Sequence, residues 1–350
     1  MPRPRAGVAA PTELQAALER VHLLAPGESA HVTPLSGGVS SDILRVDLPD
    51  GRRVCVKRAL AKLKVQADWR APIERNRWEA RWLKVAGDIV PGAVPKVLAE
   101  DASSGMFVMD YLEPARHPVW KSQLRDGAIE SQFAALVGER IARIHAHTAR
   151  REQIASQFAT DHIFFPIRLE PYLIATARVH RDFAAQLEAL AQVTASSKLA
   201  LVHGDVSPKN ILCGAQGPVF LDAECAWFGD PAFDLAFALN HLLLKCLWQP
   251  SWVPRYLDCF DALALAYLDG VTWEPPAVVE ARTARLLPGL LLARVDGKSP
   301  VEYISADWQR AAVRSVAKQY LLAPVERLCD IRRAWRDEVS ARCMSAGTNA

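Results

Sequence analysis

A chain of 350 residues, 50% of them hydrophobic and 23% charged, is long enough to bury a large core in one two-lobed unit or in two domains. Its formal net charge of +3 argues against a nucleic-acid or membrane-surface binder, which would carry a basic stripe. Seven scattered cysteines without a Cys-x-x-Cys pair suggest neither a zinc site nor a disulfide framework, and reduced thiols in a cytoplasmic protein fit best.

The basic N-terminus, Met1-Pro-Arg-Pro-Arg, lacks the apolar core of a signal peptide. The most apolar stretch, Leu235 to Trp248, is interrupted by Asn240, His241 and Lys245. It is also shorter than the roughly 20 residues a span requires, so no membrane segment is expected.

Thr12-Glu-Leu-Gln15 has the pattern of a capping box and opens a helix with Leu14, Ala17, Leu18 and Val21 as its apolar stripe, ended by Pro26-Gly27. Leu35 to Ile43 follows, then a strand over Leu44–Leu48, a Pro49-Asp-Gly51 turn and a return over Arg52–Lys57. This is either an ordinary hairpin or a phosphate-covering loop. In the second reading Gly37 and Gly38 let the backbone approach closely, while Ser40 and Ser41 aim hydroxyls and amides at phosphate oxygens. The stretch carries neither the P-loop nor the Rossmann glycine pattern. Lys57 falls on the strand face opposite Val54 and Val56.

A helix is expected from Pro72 in its first turn to Gly87 past its end, with Trp78, Trp82 and Val85 on one side and Glu74 and Glu79 both available to a partner. Lys96–Glu100 and Met106–Met109 form a second hairpin that runs into Asp110-Tyr-Leu-Glu-Pro114. Gln132 to Thr148 is helical with Phe133, Leu136, Val137, Ile141 and Ile144 inward. His145 and His147, two apart, point to different sides and make no metal pair, and His145 reads as a core histidine hydrogen-bonded beneath a later loop. Asp161 to Arg168 reads as a loop and Pro171 to Leu190 as a helix.

The chain then reads His203-Gly204-Asp205, with Asn210 five residues after the aspartate, a Gly-rich turn from Gly214 to Gly217, and an apolar run Val219-Phe-Leu221 that delivers Asp222. A loop thus presents one carboxylate and one amide, and a hairpin returns a second carboxylate beside them. Phosphoryl transfer needs such a set: Asp205 to orient and deprotonate the attacking hydroxyl, and Asn210 with Asp222 to hold Mg²⁺ on the nucleotide phosphates. His-Gly-Asp alone would be explained by a surface turn; the ordered set with its apolar strands carries the reading. Glu224 faces the same way as Asp222 and is either a second metal ligand or a buried structural acid. Asp234, at the start of the apolar helix Leu235–Leu247, fits a supporting role, bonding the loop backbone from a helix N-terminus. Helices are expected over Trp252–Leu268, Pro276–Leu292, Asp307–Leu322 and Pro324–Val339. In the loop from Ala293 to Tyr303, Arg294, Asp296 and Lys298 are either acceptor contacts or solvated charges.

From Leu35 to about Lys245 these motifs resemble the aminoglycoside phosphotransferase and choline kinase family, relatives of the protein kinases. The resemblance implies an α+β, two-lobed protein-kinase-like fold. Residues 1–112 would form a small β-rich nucleotide-binding lobe, and residues 113–350 a larger helical lobe for catalysis and substrate binding. It implies that Lys57 holds the α/β-phosphates and pairs with a helix glutamate, Glu79 by the position of Arg77-Trp-Glu-Ala-Arg-Trp-Leu83. A connector at Met109, Asp110 and Leu112 would offer adenine its backbone groups. ATP with Mg²⁺ is the implied cofactor and a small-molecule hydroxyl the implied acceptor; the oligomeric state is left open. Within the family the chain looks most like methylthioribose kinases, through Val56-Lys-Arg-Ala59, Arg77-Trp-Glu-Ala80, Ile89-Val-Pro-Gly-Ala-Val-Pro-Lys96 and Asp222-x-Glu224. Those enzymes have a small hydroxyl residue where this chain has Asn210, which points to a related, sugar-like compound. The alternatives are an aminoglycoside or amino-alcohol kinase and an inactive nucleotide-binding module. An inactive module would be expected to have lost Lys57, Asp205 or Asp222, and all three remain. Ser251 to Ala350 carries twelve Asp+Glu against thirteen Lys+Arg, without the acidic excess that suits a polycation.

Overall fold

The computed structural model describes residues 8–35, 41–60 and 74–347. The chain divides into two units, Met1–Ala115 and Arg116–Ala350. The first contains β1 (Val8–Ala9), α1 (Thr12–Arg20), β2 (His31–Pro34), β3 (Ser41–Asp47), β4 (Arg53–Ala59), α2 (Arg75–Ile89), β5 (Val97–Asp101) and β6 (Met106–Asp110). Among the described residues these strands form one antiparallel sheet in the order β1-β2-β3-β4-β6-β5.

Side chains alternate across a strand, so β4 sends Val54 and Val56 to one face and Cys55 and Lys57 to the other. Both faces are covered. Ala17 and Leu18 of α1 join Val46, Val54, Val56 and Val108 in one core, while α2 lies over the opposite face with Glu79, Trp82, Leu83 and Ala86 buried. Because β4 is also flanked by β3 and β6, Lys57 is 2% exposed. Lys57 thus stands on a central strand, shielded from solvent. The Asn76 side chain ties α2 to the sheet, its Nδ2 donating to the carbonyls of Lys57 at 3.2 Å and Gly105 at 3.0 Å.

Three local expectations are corrected here. Helix α1 ends at Arg20, well before Pro26, and Thr12 does not cap it; the residue before the helix is Pro11, without a side-chain cap. Helix α2 passes through Gly87 to Ile89 because Val94 packs there, 3.2 Å from where a Cβ would stand. Trp78 is only partly buried, with the guanidinium groups of Arg77 and Arg81 lying 5.6 and 4.7 Å from its ring centre.

The second unit is mostly helical: α3 (Trp120–Arg125), α4 (Ser131–Thr148), α5 (Glu152–Gln157), α6 (Asp161–Phe164), a π-helical segment (Phe165–Ile174), α7 (Ala175–Val179) and α8 (Ala184–Ser196). Then come β7 (Ala200–Val202), β8 (Ile211–Gly214), β9 (Gly217–Phe220), β10 (Trp227–Gly229), α9 (Ala232–Trp248), α10 (Val253–Asp269), α11 (Pro276–Asp296), α12 (Asp307–Leu322) and α13 (Leu328–Gly347). Helix α9 is buried from Ala232 to Leu247, its apolar surface interrupted only by Asp234, Asn240, His241 and Lys245, with α10 and α11 packed on it. Two short antiparallel pairs, β7–β10 and β8–β9, frame the loop from His203 to Asn210.

Residues 161–174 are helical rather than a loop, and α11 continues to Asp296, so Arg294 and Asp296 are helical rather than part of the expected loop. Among the described residues no helix is long and apolar enough to cross a membrane.

Candidate active site

In the first unit the covered sheet face brings Lys57 of β4 to Glu79 of α2, with Nζ 2.7 Å from Oε2. Both side chains are nearly inaccessible, at 2% and 1%. Glu74, the other carboxylate considered, is exposed. Ser41, the first residue of β3, is buried, whereas Gly37, Gly38 and Ser40 lie outside the described residues. Met109 pairs with Cys55 and with Val97 in the sheet. The amide of Asp110 donates to the Lys96 carbonyl at 3.0 Å and is committed to the sheet, while Leu112 lies just beyond β6, half-buried.

In the second unit the loop after β7 is held from below by Asp234. Its carboxylate accepts the backbone amides of His203 at 2.7 Å and Gly204 at 2.8 Å. His145 Nε2 lies 3.2 Å from the same carboxylate and its Nδ1 lies 2.8 Å from the Tyr267 hydroxyl, which itself donates to the Pro231 carbonyl at 3.3 Å. Gly204 has φ +79°, and a Cβ there would stand 2.8 Å from the Cys225 carbonyl oxygen, so the position between His203 and Asp205 admits only glycine without strain.

His203 joins the two halves of the hairpin. Its Nδ1 accepts the Asp205 amide at 3.1 Å and its Nε2–H donates to the Leu221 carbonyl at 3.1 Å, next to Asp222. Burial outweighs the surrounding carboxylates and holds the imidazole below its ordinary pKa, in the neutral form this bonding needs.

Asp205 is buried, with Arg168 Nη2 at 2.9 Å and Lys209 Nζ at 3.3 Å from Oδ2. Burial alone would raise its pKa; Lys209 and Arg168 outweigh that and hold the carboxyl well below the usual range, hence ionised. Arg168 also donates through Nε to the Gly204 carbonyl and through Nη1 to the Ile167 carbonyl at 2.8 Å, so one guanidinium braces the loop and its carboxylate together.

The donors for a hard cation are oxygens. Asn210 donates through Nδ2 to the Asp205 carbonyl at 3.2 Å, which leaves Oδ1 as the coordinating atom. Its backbone carbonyl accepts the Leu221 amide at 2.9 Å, tying the loop to the strand that delivers Asp222. Asp222 has φ +67° and lies within electrostatic reach of His203 and Lys209. Glu224 is buried and its charge acts on the Arg168 guanidinium. Among the described residues no three His, Cys, Asp or Glu side chains form a metal cluster. An amide oxygen and one or two carboxylates, completed by substrate phosphates and water, fit Mg²⁺ rather than a metal that needs an all-protein cage.

The three flagged charges at the end of α11 separate. Asp296 accepts Arg314 at 2.6 and 2.9 Å and His180 at 2.7 Å. Lys298 binds Glu170 at 2.8 and 2.9 Å. Arg294 lines a small cavity of about 40 Å³ together with Lys121, Lys209, His241, Lys245 and Tyr303. Sequence reasoning missed Arg168, Lys209, His241 and Lys245. Signals were present: Lys209 stands four residues after Asp205, and His241 and Lys245 break an otherwise apolar helix.

A small antiparallel unit bearing a buried Lys–Glu pair and a helical unit bearing the Asp205–Asp222 hairpin define a protein-kinase-like phosphotransferase architecture. The model of the phosphotransferase enzyme family matches residues 31–258, and the chain belongs to that family. It is 28% identical over 228 residues to a methylthioribose kinase of Pectobacterium atrosepticum, covering 57% of this chain and 56% of that protein. To one from an Enterobacter species it is 26% identical over 244 residues, 61% and 58% of the two chains. The chain thus spans a little over half the length of the curated relatives it matches. Among solved structures, an amicoumacin kinase in complex with AMP-PNP, Ca²⁺ and its antibiotic superposes with a TM-score of 0.54 at 13% identity, over 92% of this chain and 96% of that one, a likeness of fold.

Proposed function

We propose that this protein transfers the γ-phosphoryl group of ATP to a hydroxyl of a small, sugar-like metabolite. The observation that carries the reading is the Asp205 loop: two amides on Asp234, the Arg168 brace and the His203 bridge hold one ionised carboxylate in place. Such preorganisation is what a reaction dominated by positioning requires.

In this reading Asp205 accepts the hydrogen bond of the acceptor hydroxyl, orients its lone pair toward phosphorus and receives the proton as the bond forms. Its low pKa keeps it ready at neutral pH and makes proton transfer late. Lys209, half-exposed beside Asp205, is assigned to the charge on the transferring group. Lys57, oriented by Glu79, is assigned to the nucleotide phosphates. Ser41, with Gly37, Gly38 and Ser40, is assigned to the phosphate-covering loop, and the backbone around Met109 and Leu112 to the base. Asn210 and Asp222 would hold Mg²⁺, whose charge neutralises the phosphate oxygens; Glu224 is assigned to bracing Arg168. The seven free cysteines support a reducing, cytoplasmic setting.

The methylthioribose kinase relatives support a sugar-like acceptor, and the balanced charge of residues 251–350 disfavours a polycationic aminoglycoside. Incubation with Mg-ATP and ribose-type, amino-alcohol and aminoglycoside acceptors, following ADP release, tests this. Saturable turnover confined to sugar-like hydroxyl compounds is expected. Turnover on an aminoglycoside alone would overturn the acceptor class, and no acceptor-dependent ADP release from the whole panel would overturn the activity.

A further inference from the structure

The charged residues lining the cavity beside Lys209 are mostly cations. Four cations line it, Lys121, Lys209, Lys245 and Arg294, against the single carboxylate of Glu302. Glu302 is ion-paired with Lys121, and Lys209 with Asp205. Lys245 and Arg294 are only 1% and 9% exposed. Among the described residues neither has a carboxylate within ion-pair distance.

Two buried cations without a carboxylate partner are a standing cost to the fold unless something anionic completes them. The Lys245 ammonium faces only π-systems, 3.7 Å from the ring centre of Tyr303 and 4.4 Å from that of Trp248. Arg294 is fixed by Nη1, which donates to the Tyr172 hydroxyl at 3.1 Å and to Ser299, while its Nε has no partner among the described residues. The Tyr303 hydroxyl, also buried, likewise lacks one. All three residues thus line one cavity, where the Arg294 Nε and the Tyr303 hydroxyl have no hydrogen-bond partner among the described residues and the Lys245 ammonium faces only rings. Burial, with Lys121 nearby, pushes the Lys245 pKa down, as expected of an ammonium whose counter-ion is missing.

Resting on the activity proposed above, we propose that this cavity is an anion subsite and that the acceptor is an anionic hydroxy compound. Its carboxylate or phosphate would be held by Lys245, Arg294 and the Tyr303 hydroxyl while its hydroxyl reaches Asp205. Lys209 links the two ends, lining the cavity and touching Asp205 at 3.3 Å. The subsite excludes polycations through repulsion and leaves neutral sugars without a partner for the buried charges.

Matched acceptor pairs test this: gluconate against glucitol, and ribose 5-phosphate against ribose, in the ADP-release assay with the full chain and with Lys245→Met. The anionic member of at least one pair is expected to be preferred. Lys245→Met should raise its KM about 30-fold or more, the usual result of removing one partner of a buried charge pair. The KM for Mg-ATP should stay unchanged; a rise there instead would move the anion from acceptor to nucleotide and overturn the proposal. A carboxylate source and a phosphate source are told apart by which pair responds.

A second measurement does not depend on turnover. Gluconate and inorganic phosphate are titrated against tryptophan fluorescence, which Trp248 reports from beside Lys245. Binding by the full chain that is lost in Lys245→Met supports the subsite even if no acceptor is phosphorylated, in which case only the activity has failed. Absence of binding together with equal turnover of neutral and anionic acceptors would overturn it. Lys245→Met should also raise Tm by a few degrees without added anion, because it removes a buried charge. A Tm lowered by the same amount would mean that the ammonium serves packing alone.

Discussion

The ammonium of Lys57 and the carboxylate of Glu79 meet at 2.7 Å inside the first unit, each almost wholly shielded from water. A buried pair of this kind contributes little net stability over an apolar pair of similar shape, while breaking it strands a charge. Glu79→Ala is therefore expected to destabilise the fold by about 3–5 kcal/mol and to raise the KM for Mg-ATP. The double variant Lys57→Met/Glu79→Leu should recover most of the stability in a denaturant titration, yet none of the activity. Recovery of both would mean that the pair is structural and that phosphates are held elsewhere.

Gly204 combines φ +79° with a close approach to the Cys225 carbonyl. Gly204→Ala should cost about 1–2 kcal/mol from the left-handed backbone alone. It should also lower kcat while leaving Mg-ATP affinity in place, because the displaced residue is next to Asp205. Thermal melting and steady-state kinetics on one preparation would check both, and a fall in stability without a fall in kcat would contradict the loop's assigned role.

Asp222→Asn replaces an anionic oxygen donor by a neutral one, and hard cations prefer the former. Activity is expected to drop at ordinary Mg²⁺ and to recover partly as Mg²⁺ is raised. An unchanged Mg²⁺ dependence would assign the ion to Asn210 and Glu224 instead.

His203, His241 and Lys245 are all held below their ordinary pKa values by burial, helped for the latter two by neighbouring cations. The unfolded chain therefore binds protons that the native one refuses, and stability must rise with pH where that difference exists. For the histidines the loss begins as pH falls through about 6.5, their ordinary value. For Lys245 the same sign applies on the alkaline side, up to about 10.4. The thermal midpoint should climb from pH 5 to pH 8, above which the buried thiols of Cys55, Cys225, Cys246 and Cys259, held above their ordinary pKa by burial, act in the opposite direction; His241→Gln should shrink the acidic part of that slope. A midpoint flat or falling over that range would contradict this burial account.

Much of the fold was legible because it rests on local periodicity. The alternation of β3 and β4 and the apolar helix at α9 are read directly, whereas the protein-kinase-like class comes from the resemblance carried by the His203–Asp222 motifs. Lys57 and Glu79 were both marked, but their burial was not, since a period-two pattern does not say whether β4 is central or at an edge. The helix ends were misread where packing overrides local signals: Gly87 stays helical against Val94, and Thr12 does not cap α1. Arg168 was invisible because an expected loop hid it; a lone arginine in Phe164-Phe-Pro-Ile-Arg-Leu was the available hint. The cavity was unreadable for another reason, as Lys121, Lys245, Arg294 and Tyr303 come from separate stretches that only tertiary packing brings together.

Asp205 is the group assigned to take the hydroxyl proton, and steady-state ADP release by Asp205→Asn probes that role. The substitution keeps shape and removes the proton acceptor. With an acceptor that the unaltered protein uses and saturating Mg-ATP, turnover should fall by about 10²–10⁴, while the dissociation constant for Mg-ATP, measured separately, changes by no more than about twofold. Unaltered turnover in that variant would remove Asp205 from the chemistry and contradict the phosphotransfer site described here.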